Sequence, residues 1–400
     1  MGTVIGETPE RPRPRPHAGE EVLSASIFRR NFLFPVLKWV KIGRGIWRTQ
    51  PLASIYDVAK VARVSTATVS AVVNNQDKVE AKTRRRVLAA IKKLHYQPNI
   101  YARNLARGST RLLGLIVSDI VNPFFGEVTQ AIKQEASARG YEVSLSATQF
   151  SEQELMLAVK RMIGMRVAAL AIMTTEMNTH VLEVLRTSRT PAVFEDVGTV
   201  GETISNIRID YEGGIFKAVK YLVDLGHKRI LFVQSHPDTL PRENPLLSIN
   251  LRTLAFQKVV DQFKVHGIQS EIVSFPGPGP KAGEQAIYKA LDQSMKFTAA
   301  IAIADPVALG VLHGLHKRGL QVPNDVSVVG FDNSYICEYL NPPLTSVDIP
   351  RGKLGKMVTD CLVSNVEGKI PGRELVLETD LVLRMSAARL IESKTPIQRI

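Results

Sequence analysis

The stretch "SIYDVAKVARVSTATVSAVVNN", Ser54 to Asn75, decides how this chain is read. Ile55, Val58, Ala59 and Ala62 recur at i, i+3, i+4 and i+7, which predicts a short first helix with one narrow apolar face, and Ser54 stands where an N-cap belongs. Arg63, Val64 and Ser65 interrupt the pattern, and Ser65 can cap a second helix by accepting a backbone N–H. In that helix Val69, Val72 and Val73 form the buried side. The opposite side carries Thr66, Ala67, Ser70, Ala71 and Asn74, which are small or hydrogen-bonding and not the Lys/Glu mixture of a merely solvated face. Such a surface suits a helix that lies close against a polar partner. A third helix is predicted from Ala81 to Leu94, with Val87, Leu88 and Ile91 inward and Lys82, Arg84, Arg85, Lys92 and Lys93 outward. A helix-turn-helix places its second helix in the DNA major groove in this way, although an ordinary three-helix bundle shares the pattern.

The charge distribution separates this segment from the rest. Of the 51 Lys/Arg and 38 Asp/Glu, residues 1–53 hold 9 and 4, residues 54–110 hold 11 and 3, and residues 111–400 hold 31 and 31. The net charges are therefore +5, +8 and 0. Concentrated positive charge on a small unit suggests a polyanionic partner, while charge alone is equally compatible with a solvated basic surface. Four hundred residues exceed what one core organises, so two or three units are expected. No run approaches 18 uninterrupted apolar residues, which argues against a membrane span. The two cysteines, Cys337 and Cys361, show neither metal-type spacing nor a disulfide framework, which fits a reducing compartment.

Downstream, the segment "KVEAKTRRRVLAAIKKLHYQPNIYARNLARGSTRLLGLIVSDIVNPFF" follows, and later come "YLVDLGHKRILFV", "RGLQVPNDVSVVGFDN" and "NPPLTSV". With the opening stretch, these motifs in this order resemble the lactose/galactose-repressor family of transcription regulators, from residue 54 to about residue 390. The resemblance implies a helix-turn-helix domain at residues 54–98, a hinge at 99–110 and a two-lobe effector-binding and dimerisation domain at 111–400. The fold class is α/β, the large domain being of the type I periplasmic-binding-protein-like kind, with three crossovers between lobes and parallel sheets.

Carried over residue by residue, Tyr56, Ser65, Thr68, Asn74, Thr83, Tyr96 and Asn99 would position phosphates, and Thr66, Ala67 and Ala71 would read bases, with Ser70 on the same face. Leu105, with Ala102 beside it, would wedge into the minor groove at the centre of a palindrome, where unstacking a base step costs a few kcal/mol that added contacts offset. An ordinary helix-packing role for Leu105 is the alternative, and it loses ground because the residue lies in a short basic connector with little core to join. Ala71 departs from the family, where an arginine commonly grips a guanine in a contact worth about 1–3 kcal/mol of discrimination. Thymine-methyl contact and DNA shape are the expected substitutes. Arg63 stands where a glycine is usual, at an expected cost of about 1 kcal/mol, and Glu80 replaces a serine cap.

The remaining chain alternates apolar runs with amphipathic segments. Strands are predicted at Leu112–Val117, "EVSLSAT", "AALAIM", Arg229–Val233, "EIVSF", "AAIAIA" and "VSVVGF", and helices at Phe124–Arg139, Glu152–Met165, Gly214–Leu225 and Leu251–His266. Ligands of such folds bind at the carboxyl ends of the strands. The positions that match the family's effector site are Asn122, Phe124, Phe125, Asp196, Arg252 and Asp332. Carboxylates accept from hydroxyls and a guanidinium donates in a planar fork, which together orient a small polar ligand. Taken singly, each is an ordinary loop residue or ion pair. Ala304 replaces a common asparagine, and Phe275 is the only candidate for a stacking aromatic in its loop. A carbohydrate-like effector is expected, with a sugar acid, nucleobase or other metabolite left open.

No phosphate loop, nucleophile elbow or metal-spaced cluster is present in the sequence, so no catalytic residue, metal or cofactor is expected. His313 and His316 lie one helical turn apart without a further ligand and read as surface residues. Residues 1–53 fall outside the resemblance. "RPRPRP" there is extended and solvated, and two readings compete: a basic arm, or upstream sequence translated only on paper, which the start of the recognised module near Ser54 favours. The expected protein is a non-enzymatic, cytoplasmic repressor that binds a palindromic double-stranded operator as a homodimer, with a tetramer left open. Two other classes are a shape-reading DNA binder with a vestigial pocket and a solute-binding receptor.

Overall fold

The computed structural model describes residues 53–74, 79–97, 110–198, 200–236, 248–368 and 370–391, with backbone alone at 248–250. The chain divides into two compact units with the boundary between Asn99 and Ile100. The expectations for residues 1–52 and for Asn99, Ala102 and Leu105 fall outside the described residues.

The first unit holds α1 (Ile55–Ala62), α2 (Thr66–Val73) and α3 (Ala81–Leu94). Ser54 opens α1 with a reciprocal cap: its Oγ accepts from the Asp57 N–H at 3.3 Å, and the Asp57 carboxylate accepts from the Ser54 N–H at 2.8 Å. The same hydrogen bonding with Ser54 holds the Asp57 carboxyl below its usual value. Arg63 ends α1 at φ 53°, the left-handed conformation that a side chain disfavours, and Ser65 caps α2 by accepting from the Thr68 N–H at 3.2 Å. Glu80 gives α3 no side-chain cap. Val58, Ala59, Ala62, Val69, Val72, Val87 and Ala90 make the core. Leu88, expected inward, is 51% exposed, because Val87, Ala90 and Ile91 already define the face that α3 turns to its neighbours.

The second unit is a two-lobe α/β structure. One six-stranded sheet runs β11-β5-β4-β3-β1-β2, from β1 (Leu112–Val117), β2 (Glu142–Ala147), β3 (Ala169–Met173), β4 (Ala192–Glu195), β5 (Ile204–Ile209) and β11 (Glu374–Leu377). The other runs β12-β10-β9-β8-β6-β7, from β6 (Arg229–His236), β7 (Gln269–Pro276), β8 (Ala299–Ala302), β9 (Ser327–Asp332), β10 (Thr345–Asp348) and β12 (Asp380–Val382). Among the described residues, every pairing between these strands is parallel except β10 with β12. β3, β8 and β9 are buried at every position, as strands covered on both faces must be; β3 and β8 accordingly read as unbroken apolar runs, while β9 buries Ser327 and Asp332 at its two ends.

The first lobe carries α4 (Pro123–Ala138), α5 (Glu152–Gly164) and α6 (Thr179–Ser188); the second carries α7 (Tyr211–Asp224), α8 (Ser248–Phe263), α9 (Gly279–Asp292) and α10 (Asp305–Lys317). The chain crosses between lobes after β5, returns after β10 through α11 (Arg351–Val366), which packs on α4, and crosses again from β11 to β12. Glycines let α9 and α10 meet backbone to backbone. A Cβ at Gly283 would strike the Val307 carbonyl, and one at Gly310 the Pro280 carbonyl. That close approach brings the first turns of both helices to the edge of the cleft.

Candidate functional site

Two surfaces carry chemistry. On α2, Ala67 is exposed, and Thr66, Thr68, Ser70, Ala71 and Asn74 are half-buried. Several of their polar groups already support the helix: Ser65 and Thr68 hydroxyls lie 2.9 Å apart, and the Asn74 side-chain amide donates to the Ser70 carbonyl at 2.8 Å. Tyr56 is 74% exposed at the start of α1, Thr83 is half-buried in the first turn of α3, and Tyr96 packs on the small core, where burial raises its phenol above the usual value. α3 has no acidic residue and presents Lys82, Arg85, Arg86, Lys92 and Lys93 to solvent. The unit thus combines a smooth helix of short polar side chains with an exposed basic helix, the features needed for close approach to a phosphate backbone.

The second surface is a cavity of about 550 Å³ at the carboxyl ends of the strands of both sheets. Asn122, Phe124 and Phe125 reach it from the start of α4, where the Asn122 side chain caps the helix by accepting from the Phe124 N–H at 3.1 Å. Arg252 and Asp332 reach it from the second lobe. The Arg252 guanidinium lies over both the Tyr211 and Phe331 rings, 4.9 and 4.7 Å from their centroids, the two rings being 5.8 Å apart. It donates to the Ile303 carbonyl at 2.7 Å and pairs with the Asp332 carboxylate at 3.2 Å. Burial pushes Asp332 up to about 7, against the pull of Arg252; burial also opposes the guanidinium charge, but Asp332 keeps it firmly protonated.

Two sequence expectations are corrected here. Asp196 does not line this cavity. It turns away, accepting from the Ile209 N–H at 2.9 Å and the Tyr211 hydroxyl at 2.6 Å, while its neighbour Glu195, at the end of β4, lines the wall instead. Burial lifts Asp196 to about 6 and, with the adjacent Asp196 charge, lifts Glu195 to about 8. Phe275 packs on the core from β7, and the aromatic that the sequence reading missed is Phe150, which does line the cavity. Thr174, Thr175 and Ile336 were also missed; their one signal is a place just past a strand end or in the loop that follows it.

Behind the wall lie two buried carboxyl groups. Asp305 accepts from the Ser334 N–H at 2.6 Å and from the Ser334 and Ser346 hydroxyls at 2.9 and 2.6 Å. Glu176 accepts from Ser118 at 2.8 Å and from Thr148, and burial raises its carboxyl above the ordinary value. Asp332 is also tied across the lobes. Its carbonyl accepts from Arg351 at 2.8 Å, and Arg351 pairs at 3.2 Å with Glu127 of α4, whose carboxylate accepts from the Tyr335 N–H at 3.0 Å. A change at Asp332 therefore reaches the first lobe through two side chains.

Known proteins share this arrangement. The profile of bacterial regulatory proteins of the lacI family matches residues 54–99, and that of the periplasmic binding protein-like domain matches residues 219–387. Catabolite control protein A of Priestia megaterium is 35% identical over 302 residues, 76% of this chain and 89% of the relative. The HTH-type transcriptional repressor PurR of Histophilus somni (strain 129Pt) is 30% identical over 341 residues, 85% of this chain and all of the relative. A solved lac repressor dimer, bound to operator and the anti-inducer ONPF, is 28% identical and superposes with a TM-score of 0.70 over 84% of this chain and 99% of its own. With a helix-turn-helix unit, a two-lobe unit and full-length relatives at this identity, the chain belongs to the lacI family of bacterial regulatory proteins.

Proposed function

We propose that the chain is a sequence-specific repressor of transcription that binds a palindromic double-stranded operator as a homodimer. A small polar effector, such as a sugar or sugar derivative, would sit in the cavity between the lobes. The observation that carries the reading is the face of α2, short side chains without a lysine or glutamate, next to a helix with no acidic residue. Thr66, Ala67 and Ala71 read the base edges, with Ser70 on the same face; Tyr56, Ser65, Thr68, Asn74, Thr83, Tyr96 and Asn99 set the register on the phosphates; and the hinge that Asn99 opens carries Ala102 and Leu105. The protein acts where DNA is, in the cytoplasm, as a binding protein and not an enzyme. Among the described residues, no helix is long and apolar enough to cross a membrane.

Mechanistically, the effector engages Arg252 and Asp332 on one lobe and Asn122 to Phe125 on the other. A ligand that favours one lobe arrangement shifts the population by its differential affinity alone, and the Asp332, Arg351 and Glu127 chain supplies a path for that preference. Selection of random duplex DNA by the full chain at near-physiological salt tests the proposal. A two-fold symmetric consensus supports it, and a bound pool without an enriched sequence refutes it.

A further inference from the structure

Three carboxyl groups and one guanidinium gather at one side of the cavity, and they are not satisfied equally. Asp332, at the end of β9, pairs with Arg252 of α8 at 3.2 Å. Asp196 accepts from the Ile209 N–H at 2.9 Å and from the Tyr211 hydroxyl at 2.6 Å, and the Arg208 charge on β5 also favours its ionised form. Glu195 lines the cavity, and its carboxyl group has no hydrogen bond or ion pair with any described residue. The register of β4 on β3, Phe194 against Ile172, continued by one step sets Glu195 beside the buried Met173. Asp119, the remaining acid on the wall, sits on the loop after β1 and accepts from the Val121 N–H at 2.8 Å.

One guanidinium neutralises one carboxylate, and two neighbouring carboxyl groups such as Glu195 and Asp196 do not both ionise readily away from water. The proton goes to the member with fewer donors, which is Glu195. Burial and, after it, the Asp196 charge push Glu195 up to about 8, so at neutral pH it is a carboxylic acid with an O–H to give. Further donors share the wall. The Thr174 hydroxyl is buried without a partner, and α9 opens at the cavity with no side-chain cap. The remaining lining is largely apolar, with Phe124, Phe125, Phe150, Val307 and Ile336.

We propose that Glu195 serves the cavity as a hydrogen-bond donor, giving its carboxyl O–H to the effector, and that the effector presents a carbonyl oxygen, ether oxygen or ring nitrogen there beside an apolar face. Such an acceptor satisfies a donor that the protein leaves open, while the apolar face covers the phenylalanines. A ligand that offers only donors meets the Glu195 carbonyl oxygen but leaves its O–H without a partner. Alkaline solution removes the proton and turns Glu195 into an acceptor alone, so the preference for acceptors falls as pH rises. This role for Glu195 rests on reading the cavity as the effector site, and it adds the polarity of the ligand edge that the first lobe meets.

Quinoline, whose ring nitrogen only accepts, and indole, whose N–H only donates, are bicyclic probes of similar size, both uncharged at pH 6.5 and at pH 9. Each is titrated against the full chain by saturation-transfer NMR at both pH values, and the ratio of quinoline to indole affinity is read. From pH 6.5 to pH 9 that ratio is expected to fall about threefold or more. In Glu195→Gln, whose amide donates at either pH, the ratio should stay constant; in Glu195→Leu, which has no donor, it should be low at both. Asp332, at about 7, titrates over the same range, so a fall that persists in Glu195→Gln assigns the effect to Asp332 and overturns the inference. No binding of quinoline, or an unchanged ratio in the unsubstituted chain, overturns it as well. The assay contains no DNA, so failure of operator selection with the pH-dependent ratio intact removes the repressor reading alone, and the reverse result removes only the role of Glu195.

Discussion

The helical unit and the two-lobe unit place their polar groups in opposite ways. Among the described residues, the first has no buried polar or charged side chain, and its core is seven small or branched apolar residues. The second buries eighteen polar or charged residues, among them Glu176, Asp196, Asp305 and Asp332. A surface that meets a polyanion needs only short donors and loose positive charge, both cheap to keep in water. A closed ligand site must instead hold charge out of water, and each buried carboxyl has to be satisfied by neighbours or carry a raised pKa. The first unit therefore depends on its apolar core and caps, and the second on specific polar networks.

The sharpest break of this contrast is at Asp305. Asp305→Ala leaves the Ser334 N–H and two hydroxyls without their acceptor, and the second unit should lose about 3 kcal/mol, seen as a lowered calorimetric transition. A loss below about 1 kcal/mol would show that water replaces the carboxylate and that the network is not structural.

Coupling between cavity and lobes should weaken next. Glu127→Gln removes the first-lobe charge that Arg351 meets and leaves Asp348 of the second lobe as its partner, and the effector-induced change in operator affinity should fall by about fivefold while effector affinity itself holds. An undiminished response would place the coupling path elsewhere.

Acidity distinguishes the units as well. Glu195 at about 8, Asp332 at about 7 and Asp196 at about 6 are all raised above ordinary carboxyl values. Between the ordinary value near 4.5 and about 8 the folded state therefore binds protons that the unfolded state does not, so stability is highest at the acidic end and falls as pH rises through this window. Melting temperature of the second unit should drop from pH 6 to pH 9, and Glu195→Gln should flatten that slope; a slope unchanged in the variant would remove Glu195 from the cause.

The smallest effect belongs to the helical unit. Arg63→Gly relieves the left-handed conformation at φ 53°, which is expected to stabilise that unit by about 1 kcal/mol less the flexibility that glycine adds to the unfolded chain. A denaturant midpoint that moves downward would show that Arg63 contributes contacts that outweigh its strain.

The ease of reading these regions from sequence follows the same division. α1, α2 and their caps are written in 22 contiguous residues, so periodicity and Ser54, Arg63 and Ser65 suffice to place them. Leu88 misled because apolarity alone does not say which side of a helix faces its neighbours; packing chose Ala90 and Ile91. In the cleft, Asn122 to Phe125 follow a clear strand and are easily found. Glu195 was missed for its neighbour because β4 ends at Glu195 and Asp196 turns into the left-handed conformation at φ 59°, so a one-residue choice at the strand end moves the carboxylate from the cavity to the Ile209 N–H and Tyr211 hydroxyl. The single antiparallel strand β12 and the return through α11 depend on contacts between residues far apart in sequence, and no local pattern encodes them.

The central claim is that the outward-facing chemistry of the helical unit reads a specific DNA sequence. Its most direct test is an anisotropy titration of the full chain against the duplex recovered by selection and against a scrambled duplex of the same composition, at about 150 mM salt. The account predicts two chains per duplex and a preference of about a thousandfold or more for the selected sequence. Equal affinity for both duplexes, falling together as salt rises, would contradict it and leave a protein that reads only the charge of DNA.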